Sequence, residues 1–444
     1  MDDATRRQEI ATLLERGELA EARRAAFAFM AARPDALAAY QGLGTLLEAE
    51  GDAQGAAECY RGFLPASVER EAFDVPDDAD AAGSGRGVDW LDAHPAERTP
   101  VRSPSARELP LSAHAKDSLT AFATGTVVVE QGSLCHDTIN TVVLDRDGRI
   151  VREAPIRNAG PVLDRYADKP PIRYAGDIVL LGVPGSMNYF HWMTDVLPRF
   201  AVLERSGIDW RDATFVLPMV VHPFQLETLA MLGVDPARIH ETTRKGEHVS
   251  GDRLLIPYLQ NMMGLSMGRW VSPFLRERFG GRKPARRDRR LLVSRDPEAS
   301  HGRGLGNVVE ITEFYTSMGY EIVIPDRFGV REQFELFGSA SHVAGPHGAG
   351  FANLHFCAPG TAVFEFFGDH LAPCYWAMSE LNGLDYLNCR GERTDPAEDG
   401  SLAAMRNVDA RRSASFSVPL DTIRAMHARG ERSSGAPRPD ELAA

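Results

Sequence analysis

Three stretches of the chain place side chains where they could move a proton or hold an anion. The first is G-S-M-N-Y-F-H-W-M-T-D-V-L-P-R-F, residues 185–200. Asn188, His191, Asp195 and Arg199 recur at helical spacing there and share one stripe, with Trp192 beside it. Such a stripe reads as a ligand-facing set, because histidine and aspartate can each take a proton from a hydroxyl. The residues alone leave open which of His191 and Asp195 is the base. The second stretch, L-L-V-S-R-D-P-E-A-S-H-G-R-G-L-G-N (291–307), puts Arg295 just past a strand, with Arg303 after it. A guanidinium in that place can grip a phosphate with two parallel hydrogen bonds. The third, A-G-P-H-G-A-G-F-A-N-L-H-F (344–356), holds His347, Gly348, Ala349, Gly350 and Asn353. Strand, glycine turn and helix start bind phosphate through backbone N–H groups, and His347 adds a side-chain donor. Asn353 either caps the helix or faces the ligand. Glu365 lies within the apolar run TAVFEFF and reads as a ribose-binding acid at a strand's carboxyl end.

These residues need a frame that brings them to strand ends. DIVLLG (177–182), TFVLP (214–218) and RLLIPY (253–258) read as strands separated by helical runs, after a small β-unit with a turn at Asp147-Gly148. A second series follows the basic stretch 280–290: RLLVSR, YEIVIP, SHVAG, TAVFEFF and LDYLN, again with helices between. Alternation every 20 to 30 residues predicts parallel, doubly wound sheets. In such sheets ligands sit beyond the carboxyl ends of the strands, so two halves of this kind would place a site in a cleft between them.

The first 65 residues differ. Gly17 and Gly51 are 34 residues apart, as are Ala22 and Ala56, and Tyr40, Gly44 and Tyr60 fall at tetratricopeptide positions. The expected organisation is a small all-α tetratricopeptide-like segment (1–66), a partly disordered linker (67–115), a first α/β domain (116–280), a Rossmann-like second domain (281–430) and a polar tail (431–444). The helical segment would serve a protein partner or self-association.

A net charge of −13 argues against nucleic acid as a partner. Five scattered cysteines without C-x-x-C suit a reducing compartment. With no apolar leader or 18-residue apolar run, the expected location is cytoplasmic. Peripheral contact at the inner face of the membrane would run through the Arg-rich stretch 282–290. Asp78-Ala79-Asp80 lies in the linker and Asp145-Arg146-Asp147 in a turn, so neither follows a buried strand as a metal-binding pair would.

Taken together, N-Y-F-H-W-M-T-D-V-L-P-R, S-R-x7-R-x3-N-x2-E and G-P-H-G-A-G-F-A-N-L-H-F-x2-P-G-T-x3-E resemble glycosyltransferase family 61. That family includes capsular-polysaccharide-type enzymes and O-linked N-acetylglucosaminyl and xylosyl transferases. Order and spacing match across roughly 120–425, with one departure: two valines separate Asn307 from Glu310. The resemblance implies a GT-B-like α/β fold of two Rossmann-like domains. It also implies inverting transfer from a nucleotide-sugar donor to a glycan or lipid-linked acceptor, with no cofactor and no metal. Arg295, Arg303 and the 345–350 loop would then meet the diphosphate, with the base at His191 or Asp195. The competing expectation is a non-catalytic tetratricopeptide-containing assembly protein on a degenerate transferase fold. A dehydrogenase is disfavoured, because no G-x-G-x-x-G follows a first strand.

Overall fold

The computed structural model describes residues 3–32, 37–52, 55–56, 59, 87–101, 118–136, 141–149, 151, 154, 169–183, 185–242, 247–259, 266–280, 286–295, 305–368, 371–394 and 415–434. Contacts divide the chain into two units. The first is Met1–Ala56, Pro65–Arg98 and Thr120–Met262; the second is Ala57–Leu64, Thr99–Leu119 and Met263–Ala444. Arg303, Tyr60, Asp78 and most of the expected linker lie outside the described residues. Among the described residues no helix is long and apolar enough to cross a membrane.

Three helices, Asp3–Glu15, Leu19–Ala32 and Leu37–Ala49, open the chain. Two of their ends repeat the same geometry. Gly17 (φ 72°) donates to the Leu14 carbonyl and Glu18 to that of Leu13; Gly51 (φ 85°) donates to Glu48 and Asp52 to Leu47. Both are left-handed helix terminations, which glycine adopts without a side-chain clash. Ala22 and Ala56, each donating to the residue four before it, follow at equal distances and are fully buried. The two terminations lie 34 residues apart. The tightest helix approach is at Gly42, where a Cβ would come within 2.9 Å of Ile10.

The first unit's main sheet has the order Val88–His94, Thr124–Glu130, Arg253–Tyr258, Asp177–Leu180, Thr214–Pro218, Ile239–Thr242. The last four strands run parallel, and Thr124–Glu130 is antiparallel to both of its neighbours. Val88–His94 corrects the linker reading. Gly125 lets Trp90 lie flat on the next strand (a Cβ there would meet the indole at 2.5 Å), and Trp90 packs edge-on to Tyr258. Polar flanking sequence concealed this strand. A four-stranded sheet, Thr141–Leu144, Ser133–His136, Glu247–Ser250 and Ile172–Arg173, forms the small β-unit. In its turn Asp145 accepts the N–H groups of Asp147 and Arg149 at 3.0 and 2.9 Å, so that Asp-x-Asp shapes a turn. The core lies between these sheets' apolar faces, with Val127, Ile178, Val216, Leu254 and Ile256 buried.

The second unit holds a fully parallel five-stranded sheet, ordered Glu321–Val323, Arg289–Val293, Ala340–Pro346, Ala362–Phe367, Asp385–Arg390. Numbered within the unit this is 2-1-3-4-5, whose switch point falls between the first and third strands. Arg295 and His347 follow those two strand ends. The unit also includes helix Val271–Phe279, upstream of the boundary expected at 280. Arg276 donates to the His355 carbonyl and to Asn382 Oδ1, both at 2.6 Å, and Ser272 pairs with His355 at 2.7 Å.

Three imidazoles are sealed in this unit. Burial, aided by Arg290, lowers His342 to about 3 and His427 to about 4; burial, aided by Arg276, lowers His355 to about 3. The unfolded chain takes up these protons near pH 6.5. Their contribution to stability is therefore complete above about pH 6.5 and falls as pH drops toward 4, by up to about 1.4 kcal/mol per pH unit per histidine. Thermal unfolding between about pH 7.5 and 5 should show this acid limb. His427→Phe preserves the ring stack on Phe364, whose centroids are 4.7 Å apart, and should make the limb shallower by one proton. An unchanged limb would remove His427 from the account.

Candidate functional site

The His191 turn is built by a break in helix register. Pro198 has no N–H and starts the helix Pro198–Arg205, so the preceding Trp192–Val196 turn widens into a π-helix in which Leu197 donates to the Trp192 carbonyl at 3.0 Å. The Thr194 hydroxyl closes on the Phe190 carbonyl in the same turn. Across this bulge His191 Nδ1 meets Asp195 Oδ2 at 2.7 Å. The His191 side chain is 44% exposed and that of Asp195 16%, so the pair opens to solvent through the imidazole. Gly185 (φ 83°) makes this possible on the other side: a Cβ there would strike the ring at 2.7 Å.

The rest of the expected stripe serves the fold. Asn188 is exposed, but its Oδ1 accepts the Phe190 N–H at 2.9 Å and caps the helix start. Trp192, expected to face a ligand, is fully buried and donates from Nε1 to the Thr228 hydroxyl at 2.8 Å. This corrects that expectation: the widened turn sends the indole into the core. Arg199 is also buried. Its Nε donates to the Asp195 carbonyl at 2.9 Å and an Nη to the Pro257 carbonyl, and burial lowers it to about 10. It ties the His191 turn to the strand Arg253–Tyr258.

In the second unit Arg295 donates to the His347 carbonyl and so pins the glycine loop. A Cβ on Gly348 would lie 3.0 Å from Arg295 Nη2, which requires a small residue there. A Cβ on Gly345 would come within 2.5 Å of the Val293 carbonyl, and one on Gly350 within 2.9 Å of the Pro325 ring. Two of the three glycines therefore serve internal packing. The expected helix is present as a 3₁₀ helix, Ala349–Phe356, whose first N–H groups lack intrahelical acceptors.

His347 continues the chain of contacts inward. Its Nδ1 meets Glu365 Oε1 at 2.6 Å, and Tyr386 donates its hydroxyl to Glu365 Oε2 at 2.5 Å. A carboxylate only accepts, so Nδ1 carries a proton. Phe367 stacks on the imidazole at 5.2 Å, and Tyr375 packs at the same distance. Burial, then the Glu365 charge, holds the Tyr386 hydroxyl well above its ordinary pKa, as a donor.

Two expectations change here. Glu365 is fully buried with both oxygens engaged, so it orients His347 and offers no oxygen to a ribose. Asn353 is fully buried and donates to Gln333 Oε1 at 2.7 Å and to the Gly350 carbonyl at 3.1 Å, latching the loop from beneath. Tyr386, Tyr375 and Phe367 were not singled out from sequence. The available signal was parity: an acid alone in AVFEFF must find donors on its own sheet face, and Tyr386 is one strand away.

The two His–carboxylate pairs should respond differently to mutation. Tyr386→Phe removes a donor to a buried charge and should cost about 1.5–3 kcal/mol of unfolding free energy in a denaturant titration. Asp195→Ala, at the partly exposed pair, should cost about 1 kcal/mol or less. Equal costs would mean that Glu365 does not depend on Tyr386.

No curated protein matches the chain. The family model described as Glycosyltransferase 61 matches residues 189–364, a segment that holds the His191–Asp195 turn, Arg295 and the His347 loop.

Proposed function

We propose that the chain is an inverting glycosyltransferase that moves a sugar from a nucleotide-sugar donor to a hydroxyl of a glycan or lipid-linked acceptor, in the building of a surface polysaccharide or glycoconjugate. The observation that carries this reading is that the matched segment, 189–364, contains both a solvent-open His–Asp pair and a histidine loop at a sheet switch point. On this reading the halves form a GT-B-type enzyme in which the first unit supplies the base and the second binds the donor.

The chemistry follows from the two pairs. Asp195 accepts His191 Nδ1–H, which leaves Nε2 to take the proton of the acceptor hydroxyl. The acceptor oxygen bonds to the anomeric carbon as the bond to the leaving phosphate breaks on the opposite face. Negative charge then gathers on the leaving group. Arg295, the first N–H groups of the 349–356 helix and His347, with both ring nitrogens protonated and Glu365 as its counter-charge, would stabilise it, with no metal in this scheme. The N-terminal helices would hold a protein partner or a second copy, and the Arg-rich stretch before residue 290 an anionic membrane surface.

A hydrolysis and transfer screen over UDP-, GDP-, ADP- and CMP-linked sugars tests this, with EDTA added in parallel. His191→Ala should lower kcat/KM by about 10²–10⁴-fold, and Asp195→Ala by less, since the imidazole remains. EDTA should leave the rate unchanged. Variants that turn over like the wild type would make the base assignment wrong. If no nucleotide sugar raises the melting temperature, the non-catalytic assembly reading takes precedence.

A further inference from the structure

One polar group beside His347 has no role so far. Gly345, Glu365 and Asn388 are register partners on three adjacent parallel strands. Register partners put their side chains on the same face of a sheet. Tyr386, two residues before Asn388, reaches Glu365 from that face. On the opposite face Phe364, Phe366, Leu387 and Cys389 pack with Ile423 and Met426 of the C-terminal helix Leu420–Ser434. Asn388 therefore stands on the His347 side, one strand beyond Glu365 and nearer the carboxyl edge than Tyr386.

Its Nδ2 atom is buried and has no hydrogen-bond partner among the described residues. A buried amide donor without an acceptor is costly, and such groups usually have one. Glu365 does not supply it: its oxygens take His347 Nδ1 and the Tyr386 hydroxyl, and neither is paired with Asn388. The amide is therefore a buried donor on the His347 side with no acceptor among the described residues.

We infer that Asn388 belongs to the donor site, where its Nδ2 donates to an oxygen of the bound nucleotide sugar, either on the phosphates or on the transferred sugar. This rests on the proposed donor binding by the second unit and adds a specificity-determining residue to it, outside the segment 189–364 that the family model covers.

The test uses the full chain and Asn388→Leu, which keeps the side-chain volume and removes the polar group. Without ligand the variant should melt higher than the wild type by roughly 2–4 °C, because an unsatisfied buried donor is gone. With ligand its affinity should be lower by roughly tenfold. Binding is measured by thermal shift and calorimetry with UDP, GDP, ADP and CMP, and with the sugar-linked form of each. Equal loss for nucleotide and nucleotide sugar places the contact on phosphate. Loss only for the sugar-linked form places it on the sugar; both outcomes support the inference. A variant that melts lower without ligand shows the amide to be part of the fold, and one that binds all probes like the wild type shows that it touches none; each overturns the inference while donor binding stands. Arg429→Ala reports on the open cleft of about 560 Å³ along this strand's edge, which Asn388 also lines, with Arg390, Asp421, Met426 and Arg429. If that variant loses binding and Asn388→Leu does not, the ligand lies in the cleft and the assignment falls. If no probe shifts the wild-type protein, the donor-binding reading fails and takes this inference with it.

Discussion

A carboxylate inside a parallel sheet must find donors for both oxygens or lose several kcal/mol to desolvation. Glu365 is that carboxylate, in the strand Ala362–Phe367 whose six residues are all buried. Helices cover both faces of such a sheet, so water does not reach its middle. One oxygen is satisfied from the next strand by Tyr386 and the other from the loop after the preceding strand by His347. The loop conformation is thereby coupled to the sheet register. The His347 carbonyl is in turn held by Arg295, which follows the first strand. The fourth and fifth strands and the loop after the third are joined through one buried charge, and the end of the first strand is tied to that loop by Arg295.

The first unit solves a related problem with backbone in place of buried charge. Pro198 removes a donor from the middle of a long helical run, and the helix relaxes into a π turn. That turn needs support, since its hydrogen bonds are no longer those of a regular helix. Arg199 supplies it by donating to the Asp195 carbonyl and to Pro257 on the neighbouring strand. Thr228, on the helix Pro223–Met231, holds it by accepting from Trp192 Nε1. The arginine that looked like a fourth ligand-facing residue is the anchor of the other two.

Much of this was legible in the sequence, and the unread part has a physical reason. Strand and helix alternation gave the sheets, because fully buried parallel strands leave continuous apolar runs such as TFVLP and AVFEFF. The His191–Asp195 and His347 motifs stood out by type and spacing. Burial did not. Helical periodicity assumes an α register and cannot foresee the widened turn that buries Trp192, nor that Asn188 caps the helix start. Glu365 and Asn353 were read as facing a ligand because polar residues near strand ends usually do; here each is enclosed by neighbours distant in sequence, Tyr386 and Gln333. The strand Val88–His94 was hidden by flanking Pro, Gly and Ser, since edge strands need little apolar sequence when a neighbour such as Gly125 admits a tryptophan.

The two His–carboxylate pairs differ in the property that decides what each can do. A base must release to water, after each turnover, the proton it has taken. His191 is suited to that, with nearly half of its side chain exposed and Asp195 holding Nδ1 from below. A group that stabilises a leaving phosphate needs fixed geometry more than exchange, because a preorganised donor loses no energy to reorientation in the transition state. His347 is suited to that role: its partner carboxylate is fully buried, its ring lies against Phe367 and Tyr375, and its backbone carbonyl is pinned by Arg295. On the proposed reading, equivalent residue types at both places acquire different chemistry from what encloses them. The asymmetry originates in two local facts of sequence: a proline seven residues after His191, and an isolated glutamate in an apolar strand eighteen residues after His347.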